Sequence, residues 1–234
     1  MKKYNIILDL DNTLMDYKYT NKHAMSCVYD ALGMDLDDEE YNQFSRFEYN
    51  YWRSFEDSQQ ELDTHGMDRI DYVRSKIYQS YFGEDRIPLE LGYELMRIYI
   101  DNLGVKNKLF PHVEDVLDYL SERYKLYIAS NGPHQSQIRK LYNTHILEYF
   151  KGVVTSEDAG YSKPKKEFFE YMFKSFDIDP RESAYVGDSL SSDILGANNA
   201  GMCSIWYNRY RMKNNTGIIP DIEIKDIKQL KKIL

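Results

Sequence analysis

Asp9-Leu10-Asp11-Asn12-Thr13-Leu14 is the stretch that decides the fold, because it sets two carboxylates two residues apart at the exit of the apolar run 4–8. On a strand, residues i and i+2 share one face. At the carboxyl end of a buried parallel strand, that face looks into the crevice where open α/β sheets bind ligands. Two carboxylates held close together raise each other's pKa, and a bound divalent cation removes this conflict. The stretch therefore predicts a Mg²⁺ site next to a carboxylate that acts on a phosphoryl group.

A turn after the strand is the alternative interpretation of the same residues. Asp11, Asn12 and Thr13 would then cap the next helix, a position where short polar side chains are common. The motif alone leaves the two interpretations evenly matched. The polar groups that follow later strands decide between them.

Two later apolar runs also end in groups suited to phosphate chemistry. Residues 125–129 predict a strand that leads into Ser130-Asn131-Gly132-Pro133, a hydroxyl followed by a turn that can aim backbone N–H groups at an anion. Residues 152–154 predict another strand, and beyond it Lys163 is a candidate fixed charge. Pro164 is predicted to be the first residue of the helix that follows.

A further run, residues 183–186, predicts the strand that ends in Gly187-Asp188-Ser189, with Asp193 five residues after Asp188. Gly187 is expected to let the backbone turn tightly, and the two aspartates offer more carboxylates to the same crevice. Taken singly, each of these groups has an ordinary explanation. Ser130 could cap a helix, Lys163 could be a solvated loop residue, and Asp193 could interact with a helix dipole. Their recurrence at the ends of successive strands favours one catalytic edge.

In these motifs the chain resembles the haloacid dehalogenase-like (HAD) superfamily. The four motifs of that superfamily correspond to Asp9-Leu10-Asp11-Asn12-Thr13, Ser130-Asn131-Gly132, Lys163-Pro164 and the stretch from Gly187-Asp188 to Asp193. The resemblance spans nearly the whole chain. It implies an α/β fold, with a three-layer Rossmann-like core around a central parallel sheet, the first motif strand in the middle, and an inserted helical cap of the C1 type.

The resemblance also implies a role for each motif residue. Asp9 would be the nucleophile that attacks phosphorus and forms an aspartyl-phosphate intermediate, and Asp11 would be the general acid and base. Ser130 would hydrogen-bond the transferring phosphoryl group, and Lys163 would neutralise its charge. The turn Asn131-Gly132 would help to bind the substrate.

The cofactor that the resemblance implies is Mg²⁺. It would sit between Asp9, the backbone carbonyl of Asp11 and Asp188, with Asp193 orienting Asp188 or a metal-bound water. Dehalogenases of the same superfamily displace halide from carbon and lack an acid at the position of Asp11. Because this chain has that acid, phosphoryl transfer is favoured.

Residues 15–104 interrupt the alternation of strands and helices. Helical periodicity and glycine stops predict helices over 20–32, 37–55, 67–82 and 88–102. This pattern assigns residues 1–14 and 105–234 to the catalytic core and 15–104 to the cap, a lid that excludes water and reads the leaving group. The chain returns to the core through Leu109-Phe110-Pro111-His112-Val113, which is similar to a P-G-V segment of related phosphatases with His112 in place of glycine.

The predicted helix 37–55 is unusually aromatic. Most of its rings are expected to pack in the cap core. Tyr49, Trp52 or Arg53 could instead face the crevice, where a ring would stack on a nucleobase and Arg53 would touch a carbonyl or a phosphate. The following stretch 56–67 is more polar than the usual cap pattern, which leaves the base preference open.

Three stretches narrow the resemblance to the house-cleaning pyrimidine 5′-nucleotidases: Ser156-Glu157-Asp158-Ala159-Gly160-Tyr161-Ser162-Lys163-Pro164, Gly187-Asp188-Ser189-Leu190-Ser191-Ser192-Asp193-Ile194 and Trp206-Tyr207-Asn208. This branch implies hydrolysis of pyrimidine nucleoside 5′-monophosphates. Another small phosphomonoester, such as phosphoglycolate or a sugar phosphate, is the alternative substrate. A phosphomutase would need a basic cluster for a bisphosphate, and an aspartate-phosphorylated signalling domain would need an open face, so both are disfavoured.

The composition limits the partners and the compartment. A net charge of −8 and a pI ≈ 5.2 argue against nucleic acid polymers and anionic membranes, which select basic surfaces. Cys27 and Cys203 lie in separate segments and suggest no disulfide framework. With no signal peptide or membrane-spanning stretch apparent, we expect a cytoplasmic protein that is a monomer or homodimer and binds a small phosphomonoester.

Overall fold

The computed structural model describes residues 4–57, 64 and 69–234. The described residues form two compact units. One comprises the described part of 1–19 together with 106–234, and the other comprises the described part of 20–105. None of the described helices combines the length and the apolar character needed to cross a membrane.

A parallel sheet forms the centre of the first unit. Its strands are β1 (Asn5–Leu8), β2 (Lys125–Ser130), β3 (Phe150–Thr155), β4 (Ser183–Gly187), β5 (Cys203–Tyr207) and β6 (Ile222–Ile224). They lie in the order β3-β2-β1-β4-β5-β6, and every neighbouring pair is parallel. Leu8, at the end of β1, pairs with Ile128 of β2 and Val186 of β4. The residues that follow these three strands therefore meet at one edge of the sheet.

Helices cover both faces of this sheet. They are α5 (Val113–Ser121), α6 (His134–Asn143), α7 (Ser156–Ala159), α8 (Lys166–Phe176), α9 (Leu195–Asn199) and α10 (Leu230–Ile233), with 3₁₀ turns at Leu147–Tyr149, Pro180–Glu182 and Ile227–Gln229 and a π-helical turn at Leu190–Ile194.

Alternation along β1 shows how the layers are built. Ile6 and Leu8 belong to the buried cluster that also contains apolar residues of α5, α6 and α10. Ile7 belongs to the cluster on the opposite face, with Phe168 and Phe169 of α8. Because successive strand residues point to opposite faces, both faces of β1 are apolar and both are covered. The prediction of a three-layer α/β core with the first motif strand inside the sheet is confirmed.

The second unit is helical. Its elements are α1 (Tyr17–Ala31, of which residues from 20 onward belong to this unit), α2 (Asp38–Asp57), α3 (Arg69–Phe82) and α4 (Leu89–Asn102). Ala24, Phe44, Ile77 and Leu95, one from each helix, are buried in a common core. The predicted helices agree with these to within a few residues, since each has an apolar stripe at helical spacing. The predicted polar stretch 56–67 and the predicted helix start at 67 lie mostly outside the described residues.

The prediction for Pro164 is wrong. Helix α8 begins at Lys166 with Lys165 as its N-cap, so Pro164 lies before the helix. The N–H of Lys165 donates to the carbonyl of Ser162 at 2.9 Å, which closes a turn around the cis Lys163–Pro164 peptide bond. Tertiary hydrogen bonds of the preceding lysine, described below, hold this turn in place.

Candidate active site

Asp9 lies directly after β1 and is held on three sides. Its N–H donates to the carbonyl of Val186 at 2.9 Å. Its Oδ1 accepts from Nζ of Lys163 at 2.7 Å, and its Oδ2 accepts from Oγ1 of Thr13 at 3.1 Å. The side chain is only 7 % exposed, so this carboxylate has one fixed orientation.

The helix-capping interpretation of the first motif does not describe this structure. Helix α1 begins only at Tyr17, and the side chain of Asp16 accepts a hydrogen bond from the N–H of Tyr19 at 3.1 Å. Thr13 is buried and directs its hydroxyl to Asp9. Residues of the first motif are therefore turned toward the edge of the sheet.

Asp11 is held by two residues of α6 that lie outside the four motifs. Nζ of Lys140 lies 2.7 Å from each carboxylate oxygen of Asp11. Nε2 of Gln137 donates to Oδ2 of Asp11 at 3.0 Å and to Oγ of Ser130 at 3.1 Å. Gln137 therefore bridges the predicted acid and base and the predicted phosphoryl-binding hydroxyl.

Lys163 is buried at the centre of the site. Its ammonium group lies 2.7 Å from Oδ1 of Asp9, 2.7 Å from Oδ1 of Asp193, 2.9 Å from the Tyr185 hydroxyl and 3.0 Å from the carbonyl of Ala129. Burial alone would lower the pKa of Lys163, but the carboxylates of Asp193 and Asp9 outweigh it and hold that pKa well above its usual range. The lysine is thus a permanent positive charge.

The turn after Ser130 is tied to the Lys163 loop. Nδ2 of Asn131 donates to the carbonyl of Lys163 at 3.1 Å, and the N–H of Lys163 donates to Oδ1 of Asn131 at 2.8 Å. A Cβ added at Gly132 would lie 2.4 Å from Nε2 of Gln137, so glycine at this position makes room for the bridging amide. The predicted contact of Asn131 and Gly132 with a substrate stays a prediction.

The end of β4 brings Asp188 and Asp193 to the same edge. Oδ2 of Asp193 accepts from the N–H of Ser189 at 3.0 Å, while its other oxygen accepts from Lys163. A Cβ at Gly187 would lie 2.3 Å from Oδ2 of Asp193. The φ angle of Gly187 is not positive, so the expected tight turn does not require glycine here. Glycine is required because a side chain would occupy the space of the Asp193 carboxylate.

Trp206 belongs to the branch-specific stretch 206–208 and supports the same segment. Its indole N–H donates to the backbone carbonyl of Asp188 at 2.8 Å. Asn208, from the same pattern, is buried and holds the next loop by accepting from the N–H of Met212 at 2.7 Å. Trp206 therefore supports the site through the backbone of Asp188.

The donor chemistry of the edge fits a hard divalent cation. Asp9, Asp188 and Asp193 each offer a carboxylate oxygen, and these oxygens lie within 4.8 Å of one another. Burial, together with the neighbouring carboxylates, raises the pKa of Asp9 to about 7 and that of Asp188 to about 8. Lys163 contacts two of the three aspartates, so negative charge is in excess. An all-oxygen site of this kind suits Mg²⁺. Ligation by the backbone carbonyl of Asp11 stays a prediction.

A cavity of ≈ 140 Å³ opens at this edge. Its walls include Asp9, Asp11, Ser130, Lys163, Asp188 and Asp193. Sites for drug-sized ligands have volumes of roughly 300–1,000 Å³, so this cavity suits a small charged group. The structure thus brings the predicted core residues of all four motifs to one cavity.

The predicted cap residues Tyr49, Trp52 and Arg53 lie on α2 in the helical unit. Trp52 is half-buried against the aromatic core of that unit and meets Phe55 edge-on, with ring centroids 6.0 Å apart. Arg53 is exposed, and its guanidinium carbon lies 5.9 Å from the centroid of the Tyr49 ring. Their contact with a substrate stays a prediction.

Gln137, Lys140 and Tyr185 are the site residues that sequence reasoning missed. Gln137 and Lys140 are spaced i, i+3 on the helix that follows the second motif, so they share a face. That spacing was the available signal, but polar residues on a short helix are normally solvated. Tyr185 lies within an apolar strand, where aromatic residues are ordinary core components.

Comparisons with known proteins agree with this architecture. The family model described as haloacid dehalogenase-like hydrolase matches residues 6–207. The HAD-hydrolase YfnB of Bacillus subtilis is 28% identical over 241 residues, covering 100% of this chain and 97% of YfnB. The crystal structure of YfnB bound to magnesium has a TM-score of 0.84 and 27% identity, covering 100% of this chain and 99% of that chain.

Two further relatives have names that state a substrate. The pyrimidine 5′-nucleotidase PynA of Streptococcus pneumoniae is 29% identical over 231 residues, covering 96% of this chain and 92% of PynA. The glyceraldehyde 3-phosphate phosphatase of Methanothermobacter thermautotrophicus is 29% identical over 240 residues, covering 98% of each chain. Relatives of equal similarity thus have names that state different phosphorylated substrates.

Proposed function

The chain belongs to the haloacid dehalogenase-like hydrolase family, and from that premise we propose that it hydrolyses small phosphomonoesters through Asp9. One observation carries the proposal: Asp9 and Asp11 line a single small cavity together with Ser130 and Lys163. These groups are a fixed carboxylate, a second carboxylate, a hydroxyl and a permanent cation. Phosphoryl transfer from a monoester to a carboxylate needs all four chemistries.

The first step forms a covalent intermediate. An oxygen of Asp9 attacks phosphorus, and the bond between phosphorus and the ester oxygen breaks. Asp11 gives its proton to the departing alcohol oxygen, while Ser130 and Lys163 stabilise the negative charge on the phosphoryl group. The contact of Lys163 with Asp9 at 2.7 Å also fixes the direction of attack.

The second step returns the enzyme to its starting state. Asp11, now a carboxylate, takes a proton from a water molecule whose oxygen attacks phosphorus. The bond between phosphorus and Asp9 breaks, and inorganic phosphate leaves. Because Asp11 acts first as an acid and then as a base, both half-reactions need it on the same side of the phosphoryl group.

Mg²⁺ is the cofactor that fits this donor set. Asp9, Asp188 and the backbone carbonyl of Asp11 would hold it, and Asp193 would act as a positioning residue because both of its oxygens already accept hydrogen bonds. When bound, it would neutralise part of the charge on the carboxylates and the phosphoryl oxygens.

For the leaving group we favour a pyrimidine nucleoside. The support is the set of three branch-specific sequence stretches, a relative named as a pyrimidine 5′-nucleotidase, and the aromatic α2, in which Trp52 is the proposed stacking residue and Arg53 a proposed polar contact. A sugar or triose phosphate is the second candidate, because a relative named as a glyceraldehyde 3-phosphate phosphatase is equally similar. A cytoplasmic location and a monomeric or homodimeric state remain predictions.

A phosphate-release screen tests the proposal. Purified protein with Mg²⁺ would be offered UMP, dUMP, dTMP, AMP, GMP, phosphoglycolate and glucose 6-phosphate, and kcat/KM would be measured for each. We expect the pyrimidine nucleotides to have the highest values and Asp9→Asn to release no phosphate from any of them. Superior turnover of a sugar phosphate would refute the nucleotidase proposal alone, and turnover by Asp9→Asn would refute the phosphatase mechanism.

A further inference from the structure

Two buried side chains of α6 contact the site without belonging to the four motifs. The Lys140 side chain is 0 % exposed, and Nζ lies 2.7 Å from both carboxylate oxygens of Asp11. Gln137 is 1 % exposed, and its amide nitrogen reaches Asp11 at 3.0 Å and Ser130 at 3.1 Å. The helix thus contacts the second aspartate and the hydroxyl at the same time.

The contact between Lys140 and Asp11 fixes the carboxylate. A buried ammonium group is costly unless a counter-charge compensates it. The ion pair between Lys140 and Asp11 is therefore expected to stay formed, and it keeps the carboxylate of Asp11 in place. The two side chains are not equally buried, because Asp11 keeps 18 % of its surface exposed and lines the cavity. Lys140 therefore restricts the rotamer of Asp11 while leaving the carboxylate accessible from the cavity.

Gln137 acts on the direction of the Ser130 hydroxyl. The amide nitrogen has two hydrogens, and its two acceptors are Oδ2 of Asp11 and Oγ of Ser130. Because Oγ accepts from Gln137, the hydroxyl hydrogen of Ser130 is free to point elsewhere, and Ser130 lines the cavity. The hydroxyl hydrogen is therefore available to donate to a phosphoryl oxygen bound in the cavity.

We propose that Gln137 and Lys140 are positioning residues of this phosphatase, Lys140 acting through the acid and base Asp11 and Gln137 acting through the phosphoryl-binding Ser130. The inference rests on the proposed function. It predicts two separable defects. Loss of Lys140 impairs protonation of the leaving group, whereas loss of Gln137 impairs binding of the phosphoryl group whatever the leaving group is.

Single-turnover kinetics with excess enzyme and Mg²⁺ isolate the first step. The substrates would be p-nitrophenyl phosphate, whose leaving group needs no proton, and glycerol 1-phosphate, whose leaving group does. In Lys140→Met we expect the first step to slow by about 30-fold or more with glycerol 1-phosphate, within the range that a general acid contributes, and by less than about threefold with p-nitrophenyl phosphate. The enzyme concentration giving half-maximal rate should stay constant.

Gln137→Leu should show the opposite signature. We expect the half-saturating enzyme concentration to rise by about tenfold for both substrates, as for loss of one hydrogen bond to a charged group. The ratio of their maximal rates should stay unchanged, because Lys140 still contacts both carboxylate oxygens of Asp11. Gly132→Ala should reproduce this defect, because its Cβ would displace the Gln137 amide. Ser136→Ala is the matched control on the same helix, since Ser136 is equally buried and its Oγ has no hydrogen-bond partner among the described residues.

Equal losses on the two substrates in Lys140→Met, or no loss, would overturn the role of Lys140. If Lys140→Met failed to fold, Lys140→Arg, which keeps the charge, would replace it. Its ratio of the first-step rate with glycerol 1-phosphate to that with p-nitrophenyl phosphate should equal the wild-type ratio. A lower ratio would overturn the role of Lys140. Unchanged half-saturation in both Gln137→Leu and Gly132→Ala would overturn the role of Gln137. An inactive wild type would instead refute the proposed function, so the two failures are distinguishable.

Discussion

The sheet edge and the helical unit bury polar groups in different ways. At the sheet edge, Lys163 is buried between Asp9 and Asp193, and a second lysine, Lys140, is buried against Asp11. A buried charge is costly even when it is paired. Such an ion pair adds little to the stability of the fold compared with apolar packing, so its presence at this edge indicates a catalytic role.

In the helical unit, one buried network consists of neutral groups. The Tyr99 hydroxyl donates to Oδ1 of Asn21 at 2.7 Å, and Nδ2 of Asn21 donates to the Tyr41 hydroxyl at 3.1 Å. These contacts fix helix packing at low cost. Buried polar groups therefore indicate a catalytic edge only where several of them are charged.

The largest expected effect comes from Asp9. Asp9→Asn keeps the size of the side chain and loses the attacking charge, so kcat should fall by more than about a thousandfold, a loss of at least ~4 kcal/mol in transition-state stabilisation. Phosphate release with the preferred substrate measures this, and circular dichroism checks that the fold is intact. Chelation of Mg²⁺ should abolish turnover reversibly. Activity above a thousandth of wild type in the variant would argue against covalent catalysis by Asp9.

The second effect separates the roles of the two aspartates. Asp11→Asn cannot protonate the leaving group, so hydrolysis of nucleotides or other alkyl phosphates should slow by about 10²–10⁴-fold. Hydrolysis of p-nitrophenyl phosphate should slow less, and the ratio of aryl to alkyl activity should rise. The measurement is kcat/KM for both substrates in parallel. A ratio equal to that of the wild type would exclude Asp11 as the general acid.

A matched pair of glycines compares the two regions directly. Gly187→Ala would place a Cβ 2.3 Å from Oδ2 of Asp193, and Gly92→Ala would place one 2.6 Å from the carbonyl oxygen of Ser75 in the helical unit. Both should lower the free energy of unfolding by about 1–3 kcal/mol, because both overpack their surroundings. Urea unfolding with and without Mg²⁺ measures the difference.

Only the variant at the sheet edge should change the response to the metal. At a hundred times its dissociation constant, a ligand stabilises the native state by about 2.7 kcal/mol, and Gly92→Ala should keep this gain whereas Gly187→Ala should lose much of it. An equal stabilisation by Mg²⁺ in both variants would argue against a role of Asp193 at the metal site.

A smaller effect concerns Glu48, a partly buried carboxyl group in the helical unit. Burial raises the pKa of Glu48 to about 7, although Arg74 opposes the shift. A carboxyl group whose folded-state pKa is raised binds its proton more tightly when folded, so its contribution favours folding below its unfolded-state pKa and is lost as pH rises through 7. Glu48→Gln should therefore stabilise the protein at pH 8 by about 1–2 kcal/mol and leave it almost unchanged at pH 4. Greater stabilisation at pH 4 than at pH 8 would contradict this account.

The smallest effect tests whether the aromatic helix reads the leaving group. Trp52→Ala should reduce kcat/KM for nucleotides by about tenfold, the loss expected from one base–aromatic stack. Turnover of p-nitrophenyl phosphate should change much less. Phe55→Ala is a suitable comparison, because Phe55 contacts Trp52 within the same helix. Equal losses on both substrates in Trp52→Ala would assign Trp52 to packing alone.

The sequence predicted which residues meet at this edge of the sheet, because parallel strands bring their carboxyl ends together. Asp9, Ser130 and Asp188 lie far apart in the chain, yet each follows an apolar run, and this pattern alone places them side by side. The helices of the second unit were predictable for a similar reason, since their apolar stripes follow helical periodicity.

Other features depend on tertiary contacts that no local pattern contains. Pro164 lies outside its helix because the backbone of Lys163 is hydrogen-bonded to Asn131 across the site. Lys140 is a surface residue by type and is buried only because Asp11 compensates it. Periodicity also cannot rank Trp52 against the other rings of α2, because several of them share the same buried stripe.

Detection of the intermediate tests the central claim most directly. Asp11→Asn would be mixed with p-nitrophenyl phosphate and Mg²⁺, quenched in acid and digested, because loss of the base should let the acyl phosphate accumulate. The account predicts a stoichiometric burst of p-nitrophenol and one phosphoryl group on the peptide that contains Asp9. Continued p-nitrophenol release without a burst, with Asp9 unmodified at every time point, would contradict it.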